Sequence, residues 1–252
     1  MKKKKTLVAG IIGNIVEYYD FGIYIVFADM IASLFFTNFS EQTGMLFSFA
    51  IFAIGFFFRP IGGIIFGHIG DKYGRKVALS ISIVCMAALT ALIGVLPTYS
   101  QIGLAAPILL TVIRILQGIC IGGEGAGSAV FILEHCEDKR FGFYGSIVMA
   151  SNVTGTLLAI VVGIAIEYYI GINEISWRYG FFLGSIMGVI GLLLRNNTEE
   201  SPVFENLKKS KEIIKTPIKE VLKKKWRQII ILASFASLAS SATYIIRGFF
   251  II

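Results

Sequence analysis

Five ionisable side chains interrupt long apolar stretches of this sequence: Glu17, Asp20, Arg59, Arg114 and Glu124. An ion inside hydrocarbon costs on the order of a few kcal/mol, so it normally faces a partner or a wet cavity. Glu17 and Asp20 lie three residues apart and share one face of a helix, which Asn14, Phe21 and Tyr24 extend. Two carboxylates so close in a low dielectric resist joint ionisation, and a carboxyl so placed can take up and release a proton near neutral pH. At 1.5 Å rise per residue, Asp20 stands about 20 Å above the start of its helix, and Glu17 about 15 Å. Arg114 runs in the opposite direction and falls about 20 Å above the same face of a ~30 Å hydrocarbon core. A salt bridge between Asp20 and Arg114 is therefore geometrically reasonable. Protonating the acid would release the arginine and couple proton entry to a helix movement. Gln117 and Glu124 continue near the same side. Arg59, followed by Pro60, suits an anionic solute group or neutralises Glu17 or Glu124; snorkelling to the interface explains it equally well. Tyr18, Tyr19, Phe21 and Tyr24 offer ring faces to a quaternary ammonium, with lipid contact or packing as the plainer use. The competing account of both acids is that they pair with cations and only fix helix packing.

The elements that position these groups are membrane spans. Apolar residues make up 56% of the chain and charged ones only 15%, against about 25% charged in a soluble domain. A spanning helix needs about 20 mostly apolar residues. Candidates are 6–34, 45–67, 77–96, 108–133, 141–166, 179–194 and 229–246. We expect an all-α multi-spanning protein with a six-helix bundle over 1–195, a basic linker over 196–227 and a seventh helix over 228–252. Within the linker, 208–225 has an amphipathic pattern that fits a surface helix or a solvated strap. Lys2 to Lys5 resemble the basic start of a signal peptide, but Asn14, Glu17 and Asp20 break the apolar run, which fits a retained helix better.

Charge placement sets the expected orientation. With the N-terminus inside, Lys2 to Lys5, Lys72, Arg75, Lys76, Lys139, Arg140 and the ten basic residues from Arg195 to Arg227 all face the cytoplasm, and the opposite loops carry only Arg178. The net charge of +7 then faces anionic lipid rather than nucleic acid. Cys85, Cys120 and Cys136 lack disulfide or zinc spacing. No G-x-x-x-x-G-K-[ST], H-E-x-x-H or Ser/His/Asp set occurs, so neither an ATP-driven machine nor an enzyme is expected, and no cofactor.

The segment Gly67-His-Ile-Gly-Asp71-Lys-Tyr-Gly74-Arg75-Lys76 fits G-x-x-x-D-x-x-G-R-K, a signature of the major facilitator superfamily. Arg114-Ile-Leu-Gln117-Gly118 resembles that superfamily's fourth-helix motif. Gly13-Asn14-Ile-Val-Glu17-Tyr-Tyr-Asp20-Phe21, Arg59-Pro60-Ile-Gly62-Gly63, Gly122-Gly123-Glu124 and Glu199-Glu200-Ser201-Pro202 narrow the likeness. Together they resemble the metabolite:proton symporter family, and most of all its proline/betaine members. The resemblance implies the six-helix N-terminal half of a major facilitator fold, a 3+3 inverted repeat, plus a seventh helix. It fits that helices 1 and 4, equivalent in such a repeat, carry most of the buried charge.

The resemblance further implies import of small organic solutes, such as proline, betaine or related carboxylates, on a proton gradient across a bacterial inner membrane. It pairs an acid at the Asp20 position with the arginine at the Arg114 position, and together with the spacing of the two acids this puts Glu17, Asp20 and Arg114 in proton coupling. Asn14, Tyr24, Arg59, Gln117 and Glu124 would line the solute cavity. Gly67, Asp71, Gly74, Arg75, Lys76, Glu134, Arg140, Arg195 and Glu200 would form an inner gate. Relatives of that kind have twelve helices, so the expectation is a truncated or split form, inactive alone and completed by a separate C-terminal half. A non-transporting remnant or membrane interaction protein is the alternative. The sequence leaves open which solute is carried and whether protons or sodium ions drive it.

Overall fold

The computed structural model describes residues 2–135, 140–171, 173–210 and 224–251, with side chains from 6 to 238 within those ranges. The chain divides into two compact units, residues 1–213 and 214–252. In the first, α1 (Lys2–Val26) and α2 (Ala28–Phe35) meet at a 60° bend. Then follow α3 (Glu41–Tyr73), α4 (Arg75–Val95), the short α5 (Tyr99–Ile102), α6 (Ala105–Glu134), α7 (Phe141–Ile170), α8 (Ser176–Asn196) and α9 (Pro202–Lys209). The second unit holds α10 (Trp226–Ile251), which covers the expected seventh span. The expected amphipathic stretch at 208–225 lies mostly outside the described residues.

Five helices, α3, α4, α6, α7 and α8, are each long and apolar enough to cross a membrane, and the bent α1–α2 pair passes the same test as one span. Their outward faces carry exposed apolar side chains such as Leu46, Phe57, Leu157, Ile164 and Leu183, a surface that suits lipid rather than water. The bend in the first span is tied from the neighbouring helix. The Tyr24 hydroxyl donates to the Ser48 carbonyl at 3.1 Å, and the Ser48 hydroxyl donates to the Ala28 carbonyl at 3.2 Å. Helix α3 starts at Glu41 because Ser40 caps it, its hydroxyl accepting from the Thr43 amide. It runs past the expected boundary and takes Gly67 to Lys72 into its last turns.

Packing follows a pattern. Let the spans be numbered 1 (α1–α2), 2 (α3), 3 (α4), 4 (α6), 5 (α7) and 6 (α8). The principal pairs are 2 with 4, 1 with 5, 3 with 6, 3 with 4 and 1 with 6. Neighbours 1–2, 2–3, 4–5 and 5–6 also touch. Exchanging 1 with 4, 2 with 5 and 3 with 6 maps these pairs onto one another, as two equivalent three-helix units would; span 1 also meets span 4, a pair that maps onto itself, and more lightly span 3, a contact outside the symmetry. The tightest pair, α3 against α6, depends on missing side chains. A Cβ on Gly118 would strike the Gly55 carbonyl, one on Gly122 the Arg59 carbonyl, and one on Gly62 the Ile119 carbonyl. Helices in lipid associate through such close approach, because lipid tails remove the hydrophobic drive between them.

Candidate functional site

Three acid–arginine pairs organise the interior of the first unit. The first centres on Asp20 of α1. Arg114 of α6 donates to its Oδ2 at 2.9 Å, with both side chains 2% exposed. Gln117, one turn further along α6, donates to Asp20 Oδ1 at 3.1 Å and accepts from Arg114 at 2.8 Å. The Thr90 hydroxyl of α4 donates to the same Oδ1 at 2.7 Å while accepting from Gln117 at 3.0 Å. Three donors from two helices therefore hold one carboxylate. Arg114 also lies 3.9 Å over the Tyr24 ring, and its Nε and Nη2 make no hydrogen bond.

The second pair is more deeply enclosed. Arg195 of α8 and Glu124 of α6 are both 0% exposed, with Arg195 Nη2 2.5 Å and Nη1 3.0 Å from the two carboxylate oxygens. Arg195 also donates to the carbonyls of Leu79 at 2.7 Å and Ala9 at 3.4 Å, and Ser82 donates to Glu124 at 3.3 Å. The pair thus ties α1, α4, α6 and α8 together. Gly13 makes room for it, since a Cβ there would collide with Glu124 and Arg195.

The third pair is looser. Arg59 Nη2 lies 3.5 Å from Glu17 Oε1, with the arginine side chain 26% exposed and the acid 2%. The guanidinium carbon sits 4.3 Å and 4.4 Å from the ring centres of Phe21 and Phe56. These rings continue through Phe52 to Tyr24, so one aromatic row runs from the Glu17 pair to the Asp20 pair.

A fourth cluster lies at one end of the unit. Arg75 pairs with Asp71 at 2.6 Å and with Glu134 at 3.5 Å, and the Ser201 hydroxyl bonds to Glu134. Glu200 accepts from the Lys76 amide at 3.1 Å, and so places its charge at the start of α4, where the helix dipole favours an anion. The Lys76 ammonium holds the carbonyls of Asn196 and Thr198 at 2.8 and 2.7 Å. Gly74 makes the α3–α4 corner at φ +115°, a conformation that favours glycine, and a Cβ there would meet Glu200.

The residues singled out from sequence therefore fall into separate places. Asp20, Arg114, Gln117 and Tyr24 are together, and Glu17 and Arg59 are together. Glu124 and Gln117, expected to line a cavity, are wholly buried. Arg195, expected at the gate, grips Glu124 inside the bundle. Asn14 turns to α7, donating to the Val148 carbonyl at 3.1 Å, to Ser151 at 2.8 Å and to Asn152. Asp71, Gly74, Arg75, Lys76, Glu134 and Glu200 cluster at one end. Gly67 lies near them in α3 with open space beside its Cα, and Arg140 is exposed just before α7. Sequence reasoning missed Ser82, Thr90, Ser151 and Phe56. The first three are hydroxyls interrupting apolar spans, and that interruption was the available signal.

The sequence pattern of the family described as "Sugar (and other) transporter" matches residues 5–237. A Salmonella typhimurium proline/betaine transporter is 34% identical over 255 residues, covering 96% of this chain and 51% of that protein. A Staphylococcus aureus relative, also named for proline/betaine transport, is 44% identical over 209 residues, covering 81% of this chain and 45% of its own length. The chain spans about half the length of the curated relatives it matches. Among solved structures, a partially occluded inward-open form of the xylose transporter XylE from E. coli superposes with a TM-score of 0.75 at 19% identity. That match covers 98% of this chain and 62% of the other. A second structure, the proton:xylose symporter XylE bound to 6-bromo-6-deoxy-D-glucose, gives 0.74 at 20% identity, covering 84% of this chain and 48% of that one. Such identities speak to the fold alone, and the fold is that of the major facilitator superfamily. By the pattern matched across 5–237, the chain belongs to the sugar (and other) transporter family of that superfamily.

Proposed function

We propose that this chain forms one half of a proton-coupled symporter for small organic solutes of the proline and betaine kind. In this reading Asp20 is the proton-carrying group. The observation that carries it is the Asp20–Arg114 ion pair: two opposite charges, each 2% exposed, on different spans of a membrane bundle. Its carboxylate accepts three hydrogen bonds, from Thr90, Arg114 and Gln117. Adding a proton removes the charge that holds Arg114, leaves Gln117 and Thr90 to re-pair, and frees α6 to move against α1. A group whose charge change alters the contact between two spans is a bistable element of the kind alternating access needs.

Support for the solute class comes from the names of the relatives and from the mixture of buried acids, arginines and ring faces. The excess of basic residues at the Asp71 end supports a cytoplasmic N-terminus in a bacterial inner membrane. The solute path needs an opposing wall, which a second six-helix half would supply together with the partner of the Asp71 corner.

The test is Asp20→Asn in the complete or reconstituted transporter, with labelled proline and betaine taken up into vesicles under an imposed proton gradient. The amide mimics the uncharged state and cannot cycle. Proton-driven accumulation is expected to vanish while downhill exchange of solute persists. Unchanged accumulation would reject the assignment.

A further inference from the structure

The three acid–arginine pairs differ in how completely they are satisfied. Asp20 and Glu124 each accept from several donors at ordinary distances. Glu17 does not: its Oε2 is buried with no hydrogen-bond partner, and Oε1 meets Arg59 only at 3.5 Å. A charge-assisted N–H···O bond is normally about 2.7–2.9 Å. Nε and Nη2 of Arg59 are likewise without hydrogen bonds. What holds the guanidinium is therefore charge and ring faces rather than directed bonds. Both ring centres lie well inside the roughly 6 Å reach of a cation–π contact.

A quaternary ammonium can supply that same set of contacts. It has no N–H to donate, so it gains nothing from a site built of hydrogen bonds. It is recognised by a carboxylate and by aromatic faces. We propose that Arg59 is an internal stand-in for the cationic end of the solute, and that a net-neutral zwitterion enters by exchange with it. The solute's N-alkylated ammonium takes over Glu17 and the faces of Phe21 and Phe56, and its carboxylate binds the displaced Arg59. This rests on the solute-transporter reading and gives it a recognition device.

The surroundings allow the exchange. Arg59 is the exposed member of the pair and Glu17 the enclosed one. An arginine partly open on a hydrocarbon surface is costly, so its open side fits a wet space. The backbone at Arg59 is pinned, because its carbonyl lies where a Cβ on Gly122 would be. The exchange is therefore a rotation of a long side chain and needs no helix movement. Charge also balances. Before entry the pair is neutral; afterwards two neutral pairs exist, Glu17 with the ammonium and Arg59 with the carboxylate. A simple cation would expel Arg59 without giving it a partner, and a simple anion would leave Glu17 exposed to none.

The experiment is equilibrium binding of radiolabelled glycine betaine to the purified complete or reconstituted transporter in lipid nanodiscs, with no proton gradient. Competitors are choline, which has only the cation, and 3,3-dimethylbutanoate, which keeps the shape and the carboxylate but not the positive charge. Saturable betaine binding is expected, with both competitors at least about tenfold weaker, as the loss of one charge-assisted contact implies. Glu17→Gln and Arg59→Gln should each weaken betaine by about tenfold or more, whereas Glu174→Gln, at an exposed turn, should not. Phe56→Leu keeps every charge and should weaken binding by roughly threefold to thirtyfold through the lost ring face, so the idea stays testable if an acid variant fails to fold. Absence of saturable binding, equal competition by choline or the butanoate, or wild-type affinity in the Glu17 and Arg59 variants would each overturn the exchange. Because no gradient is present, Asp20 coupling does not enter this readout. Normal betaine binding with failed proton-driven uptake would instead count against the coupling reading alone.

Discussion

Removing Glu124 should damage this bundle more than removing any exposed charge, and its geometry says by how much. In Glu124→Gln the carboxamide keeps the shape but turns one acceptor into a donor facing Arg195. The guanidinium loses one of its contacts at 2.5 and 3.0 Å and its counter-charge, while the Leu79 and Ala9 carbonyls remain. Breaking a buried ion pair from one side costs about 3–5 kcal/mol, and the two surviving carbonyls put this case near the lower end. At roughly 2–4 °C per kcal/mol for a chain of this size, the melting temperature should fall by about 6–12 °C. Arg195→Met should cost more, because only Ser82 then faces the stranded carboxylate. The double variant Glu124→Leu with Arg195→Met removes both charges together and should recover most of the loss. Thermal unfolding in detergent, followed by circular dichroism, measures all three. A Glu124→Gln drop below about 2 °C, or a double variant no better than the singles, would refute the claim that this pair clamps four helices.

Gly118→Val places a branched side chain against the Gly55 carbonyl, and should destabilise the bundle by about 1–3 kcal/mol or prevent folding, while Gly145→Ala, in open space on α7, should leave the melting temperature unchanged. Gly74→Ala forces a Cβ onto a residue at φ +115° and against Glu200, with an expected cost of about 1–3 kcal/mol in the same melting assay. For orientation, a fluorescent protein inserted after Lys209 should fold and fluoresce in cells, as a cytoplasmic fusion does, whereas an alkaline phosphatase fusion there should be inactive.

Much of this arrangement was written in the spacing of charges. The rise of a helix alone puts Asp20 and Arg114 at one depth, and the structure has them 2.9 Å apart. The three-residue interval from Glu17 to Asp20 does not reveal that they take different arginines, since each choice depends on how α3 and α6 rotate about their own axes. Glu124 and Arg195 stand 71 positions apart, and no local pattern joins them. Their pairing requires α8 to lie against α4 and α1, which is a fact of topology. Thr90 and Ser82 interrupt apolar spans, but a hydroxyl there often satisfies itself on its own helix, so the interruption does not name a partner. The break at Phe27 also escaped notice, because the apolar run from 6 to 34 continues across it with no proline or glycine at the bend.

The graded satisfaction of the three pairs is itself an argument about function. Glu124 and Arg195, at 0% exposure, bridge four helices and leave only Arg195 Nε without a hydrogen bond, which suits a fixed strut. Asp20 and Arg114 are nearly as buried, yet the arginine keeps two donors unused, so a change in its partner has somewhere to go. Glu17 and Arg59 are the least satisfied and the most open, and a ligand can compete there at the smallest cost in broken bonds. The aromatic row from Phe56 to Tyr24 connects the last two, so a cation arriving at Phe21 repacks rings that also touch Arg114. Solute entry and proton release would then be linked through ring packing over two turns of helix, with the strut holding the remaining helices still. On this reasoning Phe52→Ala, which interrupts the row without touching either ion pair, should leave betaine binding near normal but loosen its coupling to the proton gradient, seen as a fall in gradient-driven uptake relative to downhill exchange. An unchanged ratio would show that the two pairs act independently.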